Sequence, residues 1–286
     1  MKKVFAALIS VVLPFFILCC SNPSSSSGTN VSQGTSAPEE NPNSGSSGGA
    51  ANSGPVSSFT GPYTSPTNGI VTYYDNTYGG GEAFFVPEIE EGWYGCAVYS
   101  NRIEKIPANS AIEMTANGKT IKLLVTDYCP IDSSYKTPEG ERLMDVGFFD
   151  LQRPAFAALF DDLQKGFEPV TFRTIPYSTA RNIKIQVKNG SGPWCLIFMP
   201  YNMRYPLKKV EVSLDGVNFF DASLVSISNQ FKFLPENNET VKCDGQSLTY
   251  FRLTDIYGQV VTSSAALESL YTSGNKTYDL GVNFNY

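Results

Sequence analysis

The sequence predicts an all-β protein in two globular parts, a compact barrel carrying one short helix and then an antiparallel sandwich. Three observations predict it. In the first part, residues 110–116 alternate in polarity, turn at Asn117-Gly118 and return over 119–126. Asn-Gly between two such runs is a strong hairpin signal, because both turn positions need positive φ. A single helical stretch follows, with Pro154 in its first turn, Phe156, Leu159, Phe160 and Leu163 at i, i+3, i+4, i+7, and Gly166 as its cap. In the second part, short apolar runs at 183–187, 195–199, 209–214, 224–227, 230–234, 248–254, 259–262 and 278–284 are separated by turns such as Asn189-Gly190, Asp215-Gly216 and Asp244-Gly245. That spacing is the pattern of a β-sandwich, with only 265–270 ambiguous. Strands at 69–74 and 170–174 open and close the barrel segment.

The 286-residue chain begins with a targeting segment over 1–20. Lys2 and Lys3 precede an apolar run, residues 4–18, that is short for a membrane span and suits a signal peptide. The run ends Leu18-Cys19-Cys20-Ser21, which resembles a bacterial lipobox, and Cys20 is the residue expected to carry the lipid. Residues 21–62 form a linker, almost wholly Ser, Gly, Asn and Pro as far as Ser58, which buries too little apolar surface to order. Residues 63–176 are the barrel and 177–286 the sandwich. The protein is thus expected to be exported, either as a cell-envelope lipoprotein facing outward or as a secreted protein, and to act as a monomer. Its one contact with a membrane would be that lipid.

Charge divides unevenly. The barrel segment carries nine Lys/Arg against sixteen Asp/Glu, and the sandwich ten against nine. An acidic first domain argues against nucleic acid and acidic polymers as partners and suits a neutral polysaccharide. The chain has no histidine, which excludes Ser-His-Asp and Cys-His nucleophiles and imidazole metal ligands. No metal site is expected, because there is also no CxxC. No cofactor is expected, because no glycine-rich loop opens a phosphate-binding helix. Chemistry must fall to carboxylates, tyrosines or lysines. Four cysteines follow the signal segment. Export favours disulfides, and two thiols per domain suggest Cys96–Cys129 and Cys195–Cys243 among the three possible pairings.

Several motifs in order resemble the expansin family, including its bacterial members, over nearly all of 69–286. Gly69-Ile-Val-Thr72-Tyr-Tyr74 is similar to the opening Gly-x-Ala-Thr-Tyr-Tyr. Gly80-Gly-Glu-Ala83-Phe84 is similar to Gly-Gly-Ala-Phe, and Gly95-Cys96-Ala97 to the segment Gly-Ala-Cys-Gly-Tyr. Val125-Thr-Asp127-Tyr-Cys129-Pro130 resembles Val-Thr-Asp-x-Cys-Pro. Phe149-Asp150-Leu151 with Pro154-Ala155-Phe156 resembles His-Phe-Asp-Leu-x-x-Pro-x-Phe. In the second part, Trp194, Arg204-Tyr205-Pro206-Leu207 and Leu253-Thr-Asp255-Ile-Tyr-Gly258 match bacterial members.

The resemblance implies a six-stranded double-psi β-barrel followed by an immunoglobulin-like carbohydrate-binding sandwich. It implies loosening of cellulose and matrix glucans such as xyloglucan without bond cleavage. Asp150 matches the essential groove acid, with Asp127 and Thr72 its neighbours. Read without the family, Asp150 could serve the helix start, Asp127 a turn and Thr72 a strand. Phe148 replaces the histidine of the plant motif. Cys129 stands where some bacterial members have tyrosine, and alternation turns Tyr128 to the other face. Trp194 matches the first of three cellulose-stacking aromatics, while Cys195 and Ser228 occupy the other two places. Tyr128, Tyr201 and Phe231 are the further candidate sugar contacts. Three other functions compete. One is an inverting endo-β-glucanase with Asp150 as acid and Asp75 as base. The second is a lytic transglycosylase resembling rare lipoprotein A, whose groove histidine is missing here. The third is a glucan-binding lipoprotein without loosening activity.

Overall fold

The protein is described by a computed structural model over residues 63–75, 88–129, 136–164, 166–191, 194–225, 229–235, 248–266 and 276–286. The signal segment with Cys20, the linker, the Gly80–Phe84 motif, Pro130, Ser228 and Cys243 lie outside those residues.

Six strands close the barrel: β1 (Thr67–Tyr74), β2 (Trp93–Tyr99), β3 (Ala111–Ala116), β4 (Lys119–Cys129), β5 (Gly147–Gln152) and β6 (Glu168–Ile175). Their order around it is β1-β5-β2-β4-β3-β6. The pairs β1–β5 and β2–β4 are parallel and the remainder antiparallel, which is the double-psi arrangement. The β3–β4 hairpin turns at Asn117 (φ 51°) and Gly118 (φ 72°), the paired positive φ values that Asn-Gly supplies. Two strands were hidden from the pattern. β2 reads Trp-Tyr-Gly-Cys-Ala-Val-Tyr, and five of its seven residues are buried, so it shows no polar alternation. β5 is six residues squeezed between a four-residue helix α1 (Leu143–Val146) and α2 (Arg153–Leu159).

Helix α2 is shorter than its apolar spacing predicts. Phe160 is already extended (φ −123°) and its N–H caps Phe156 O, so Leu163 and Gly166 lie beyond the helix. Tertiary packing decides this end. Phe156 is fully buried against Phe160 (ring centroids 4.6 Å) and Tyr73 (4.7 Å). The barrel core continues through Val71, Val98, Ile112, Leu123, Phe149, Leu151 and Phe172. Phe149 meets Phe172 edge-to-face at 4.9 Å.

The sandwich comprises β7 (Lys184–Val187), β8 (Leu196–Tyr201), β9 (Leu207–Ser213), β10 (Phe220–Asp221), β11 (Ser223–Leu224), β12 (Phe231–Phe233), β13 (Leu248–Asp255), β14 (Val260–Ala266) and β15 (Lys276–Asp279). One sheet runs β10-β9-β13-β14 and the other β11-β12-β8-β7-β15. Ala265 and Ala266 belong to β14, which settles that part of the ambiguous stretch as strand. Phe198 and Phe251 meet between the sheets at 5.3 Å, among Ile185, Leu196, Val212 and Leu253.

Barrel and sandwich fall within one compact unit. The junction is partly ionic. Glu88 bonds Lys184 at 2.9 Å and Arg181 at 3.3 Å, and Thr179 Oγ1 donates to Glu90 at 2.6 Å. Buried Tyr177 packs edge-on against Trp93 at 4.8 Å.

Candidate functional site

Strand register brings the motif residues together. On β4 and β2, Asp127 pairs with Ala97. On β2 and β5, Ala97 pairs with Asp150. On β5 and β1, Asp150 pairs with Thr72. Asp127, Ala97, Asp150 and Thr72 therefore form one row across four adjacent strands, on the barrel wall facing away from the core. Inward neighbours Val71, Cys96, Val98, Phe149 and Leu151 are completely buried. Ala97, the small side chain between the two carboxylates in this row, is itself buried. A second row lies beside it, where Tyr74 pairs with Gln152 and the Gln152 amide approaches Gly95 so closely that a Cβ there would lie 2.9 Å from it.

Asp150 is the centre of this wall. The Thr72 hydroxyl donates to its Oδ1 at 2.6 Å and also contacts the Tyr99 hydroxyl at 3.0 Å. Burial pushes the Asp150 carboxyl up to about 6, offset in part by hydrogen bonds from Thr72 and Cys129, with the charge of Asp127 adding a further upward push. Burial likewise pushes the Cys129 thiol up to about 12, helped by Asp150 and Asp127. The phenols of Tyr74 and Tyr99 are also raised, chiefly by burial. Asp127 accepts the following backbone N–H of Tyr128 at 2.8 Å. The wall can thus present an acid that changes charge in mildly acidic conditions, flanked by hydroxyl and thiol donors.

Thr72, Asp127 and Asp150 are brought together, and Asp127 lies within β4 rather than at a turn. Asp75 is not part of the row. It follows β1 and forms an ion pair with Arg153 at 3.1 Å, both side chains more than half exposed. The Cys96–Cys129 disulfide is corrected, since both are thiols. Tyr99, three residues past Cys96, is the partner of Cys129, which separates the two Cα atoms by about 10 Å. A disulfide spans at most about 7 Å. Cys96 also points into the core, whereas Cys129 joins the outer wall. Cys195 is a buried thiol, and its expected partner Cys243 is outside the described residues.

The sugar-stacking candidates separate. Trp194, just before β8, is 52% exposed. Tyr128, Tyr201 and Phe231 are 8%, 6% and 7% exposed, so as sugar platforms they are corrected. Tyr128 accepts the Ala108 N–H with its hydroxyl, and Phe231 stacks on Phe198 at 6.0 Å. Each apolar face is spent on the core. Sequence reasoning missed Tyr99, Ala97, Tyr74 and Gln152 as wall residues. The usable signal was Gly95, Ala97 and Tyr99 at alternate positions, two small residues opposite the apolar Cys96 and Val98.

No family model matches the chain. In sequence, 111 residues are 28% identical to Expansin-like protein 1 of Dictyostelium discoideum, over 39% of this chain and 36% of that protein. Expansin-like protein 6 of the same organism is 28% identical over 106 residues, 36% of this chain and 34% of that protein. The chain spans about a third of the length of these curated relatives. Among solved structures, apo Clavibacter michiganensis expansin superposes with a TM-score of 0.59 at 20% identity, covering 77% of this chain and 98% of that one. An aspartate-to-asparagine variant of that expansin, in complex with cellohexaose, gives 0.60 at 19% identity with the same coverage. The chain therefore has the two-domain fold of the Clavibacter expansin structures and partial sequence similarity to expansin-like proteins.

Proposed function

We propose that this protein loosens β-glucan networks without cleaving them. The barrel wall around Asp150 engages a neutral glucan chain and competes for the hydrogen bonds that hold neighbouring chains together. The sandwich holds the polymer through Trp194. The placement of the carboxylates carries this reading. Inverting hydrolysis needs an acid and a base on opposite faces of the sugar, about 6.5–9.5 Å apart with water between them. Asp127 stands on the same wall as Asp150, two strands away, and the candidate base Asp75 is held by Arg153. Attack by water without a positioned base loses about 10²–10⁴-fold. That the related Clavibacter variant was solved with cellohexaose supports a β-linked glucose chain as the ligand class.

Trp194 and Tyr286 are the exposed large rings among the described residues. One ring at the Trp194 end of its sheet suits individual chains better than the flat face of a crystal. Export, with a lipid on Cys20 and the linker as a tether, completes the proposal. Detergent partitioning of the native protein checks the lipid, and Cys20→Ser is expected to abolish it.

The function is tested by incubating the full chain with cellulose, xyloglucan and peptidoglycan and measuring binding, reducing sugar and mechanical creep. Binding and creep on the glucans are expected, with sugar release at background. Trp194→Ala is expected to weaken binding several-fold while changing unfolding free energy by less than about 0.5 kcal/mol, as for other exposed positions. Steady oligosaccharide release abolished by Asp150→Asn would show an enzyme. Binding without creep would leave a glucan-binding protein.

A further inference from the structure

Tyr99 ends β2, on the wall that carries Asp150. The residue is only 5% exposed. Its ring lies beside Gly147 of β5, where a Cβ would come within 3.0 Å of the ring. Held there, the phenol reaches past β5 to Thr72 of β1, with 3.0 Å between the two hydroxyl oxygens. The Thr72 hydroxyl donates to Asp150 Oδ1 at 2.6 Å. A threonine hydroxyl carries one proton and two acceptor lone pairs. That proton is given to Asp150, so the proton in the Tyr99–Thr72 contact comes from the phenol. Three strands thus contribute to one chain of two hydrogen bonds. Each hydroxyl gives its single proton, Tyr99 to Thr72 and Thr72 to Asp150.

We propose that Tyr99 is a positioning residue for Asp150 that acts through Thr72, its phenol turning the threonine hydroxyl so that the proton points at the carboxylate. The inference rests on Asp150 being the working acid of the proposed function, and it deepens that reading by assigning the group that governs the acid's strength. A threonine hydroxyl rotates about its C–O bond, and alone it can turn away from a carboxylate towards water. Accepting a bond from Tyr99 occupies one lone pair and leaves the hydrogen directed at Asp150. The same bond polarises the Thr72 O–H, which makes it a better donor to a charged acceptor at a site shielded from solvent. Burial raises the phenol above its usual range, so Tyr99 keeps its proton wherever Asp150 is ionising. The other titratable groups around Asp150 are Asp127 and Cys129 of β4, Tyr74 of β1 and Cys96 of β2, none of them a cation. Stabilisation of the carboxylate therefore comes from neutral donors rather than from an ion pair.

The test follows the Asp150 carboxyl carbon by NMR during a pH titration of the full chain, without glucan. Tyr99→Phe keeps the ring and removes only the hydroxyl. Thr72→Val keeps the shape and removes the relaying oxygen. Loss of the direct donor in Thr72→Val is expected to raise the Asp150 midpoint by about one unit, and Tyr99→Phe to raise it by about half a unit. The two substitutions combined decide the route, because the valine methyl fills the place of the hydroxyl and keeps the phenol away from Asp150. In the Thr72→Val background, Tyr99→Phe is expected to add nothing further. Thr72→Ser retains the hydroxyl and is expected to titrate near the wild-type value. An unchanged or lowered midpoint in Tyr99→Phe overturns the proposal. So does a rise of equal size in the Thr72→Val background, because the phenol then acts on Asp150 directly or by packing. If Thr72→Val does not fold, Thr72→Ala takes its place. The titration reads Asp150 directly, so absence of creep in the wild-type protein would overturn the proposed function and leave this result standing.

Discussion

Asp150 in the barrel and Glu211 in the sandwich are carboxylates near the middle of their strands, yet their surroundings drive them in opposite directions. Asp150 is buried among a hydroxyl, a thiol and another acid, and is pushed up to about 6. Glu211 is only 6% exposed, but Arg252 grips both its oxygens at 2.5 and 2.8 Å and Lys209 adds a third contact at 3.0 Å. Those hydrogen bonds and charges hold it down at about 2 against the cost of burial. Arg252 is itself steadied by the ring of Phe219, 4.2 Å away. A carboxylate buried with cations ties strands β9 and β13 together. One buried without them is destabilising to the fold and chemically responsive, which is the arrangement expected at a working site.

The largest effect expected from this contrast follows Asp150→Asn, which should abolish creep and leave binding by the sandwich unchanged. It should also stabilise the protein at neutral pH. The folded-state value of about 6 lies above the unfolded value near 3.8. Below about pH 4 both states are protonated and the carboxyl costs nothing. As pH rises from about 4 to about 6 the unfolded chain releases its proton first, so native stability falls, by up to about 3 kcal/mol for a shift of roughly two units. Urea unfolding at pH 4 and pH 8 should show the variant gaining at pH 8 alone. Equal behaviour at the two values would remove the distinction between the domains.

A smaller, opposite effect is expected in the sandwich. Arg252→Ala should cost about 1–2 kcal/mol at pH 7, between the values for exposed and buried ion pairs, because Lys209 remains. Glu211 has its value lowered on folding, so its contribution is present above about pH 4.5 and is lost as pH falls towards about 2. The cost of Arg252→Ala should shrink accordingly in acid unfolding curves. A cost independent of pH would mean that Arg252 works mainly by packing on Phe219. The smallest effect belongs to the exposed pair Asp75–Arg153. Asp75→Asn should change stability by less than about 0.5 kcal/mol and leave creep intact. Loss of sugar release in that variant would instead make Asp75 a catalytic base.

Much of this was legible in the sequence because it depends on local chemistry. The Asn117-Gly118 hairpin follows from what each residue permits at positive φ, and the sandwich strands follow from alternation between turn signals. The absence of histidine bounded the chemistry before any geometry was known. Thr72, Asp127 and Asp150 were visible as motif positions, although 78 residues separate Thr72 from Asp150. Other features could be decided only by the tertiary structure. β2 is buried along most of its length, which erased the periodicity that would have revealed it, and β5, although it alternates, is only six residues long between two helices. With them went Ala97 and Tyr99, which complete the wall. The length of α2 was set by Phe160 packing on Phe156 rather than by apolar spacing. Whether an aromatic ring faces sugar or core depends on the sheet stacked behind it, which left Trp194 exposed and buried Tyr128, Tyr201 and Phe231. The cysteines show the same limit. Composition can count thiols, but the register of β2 against β4 put Cys96 in the core and Cys129 beside the acid, about 10 Å apart, because strand pairing fixes distance and face together.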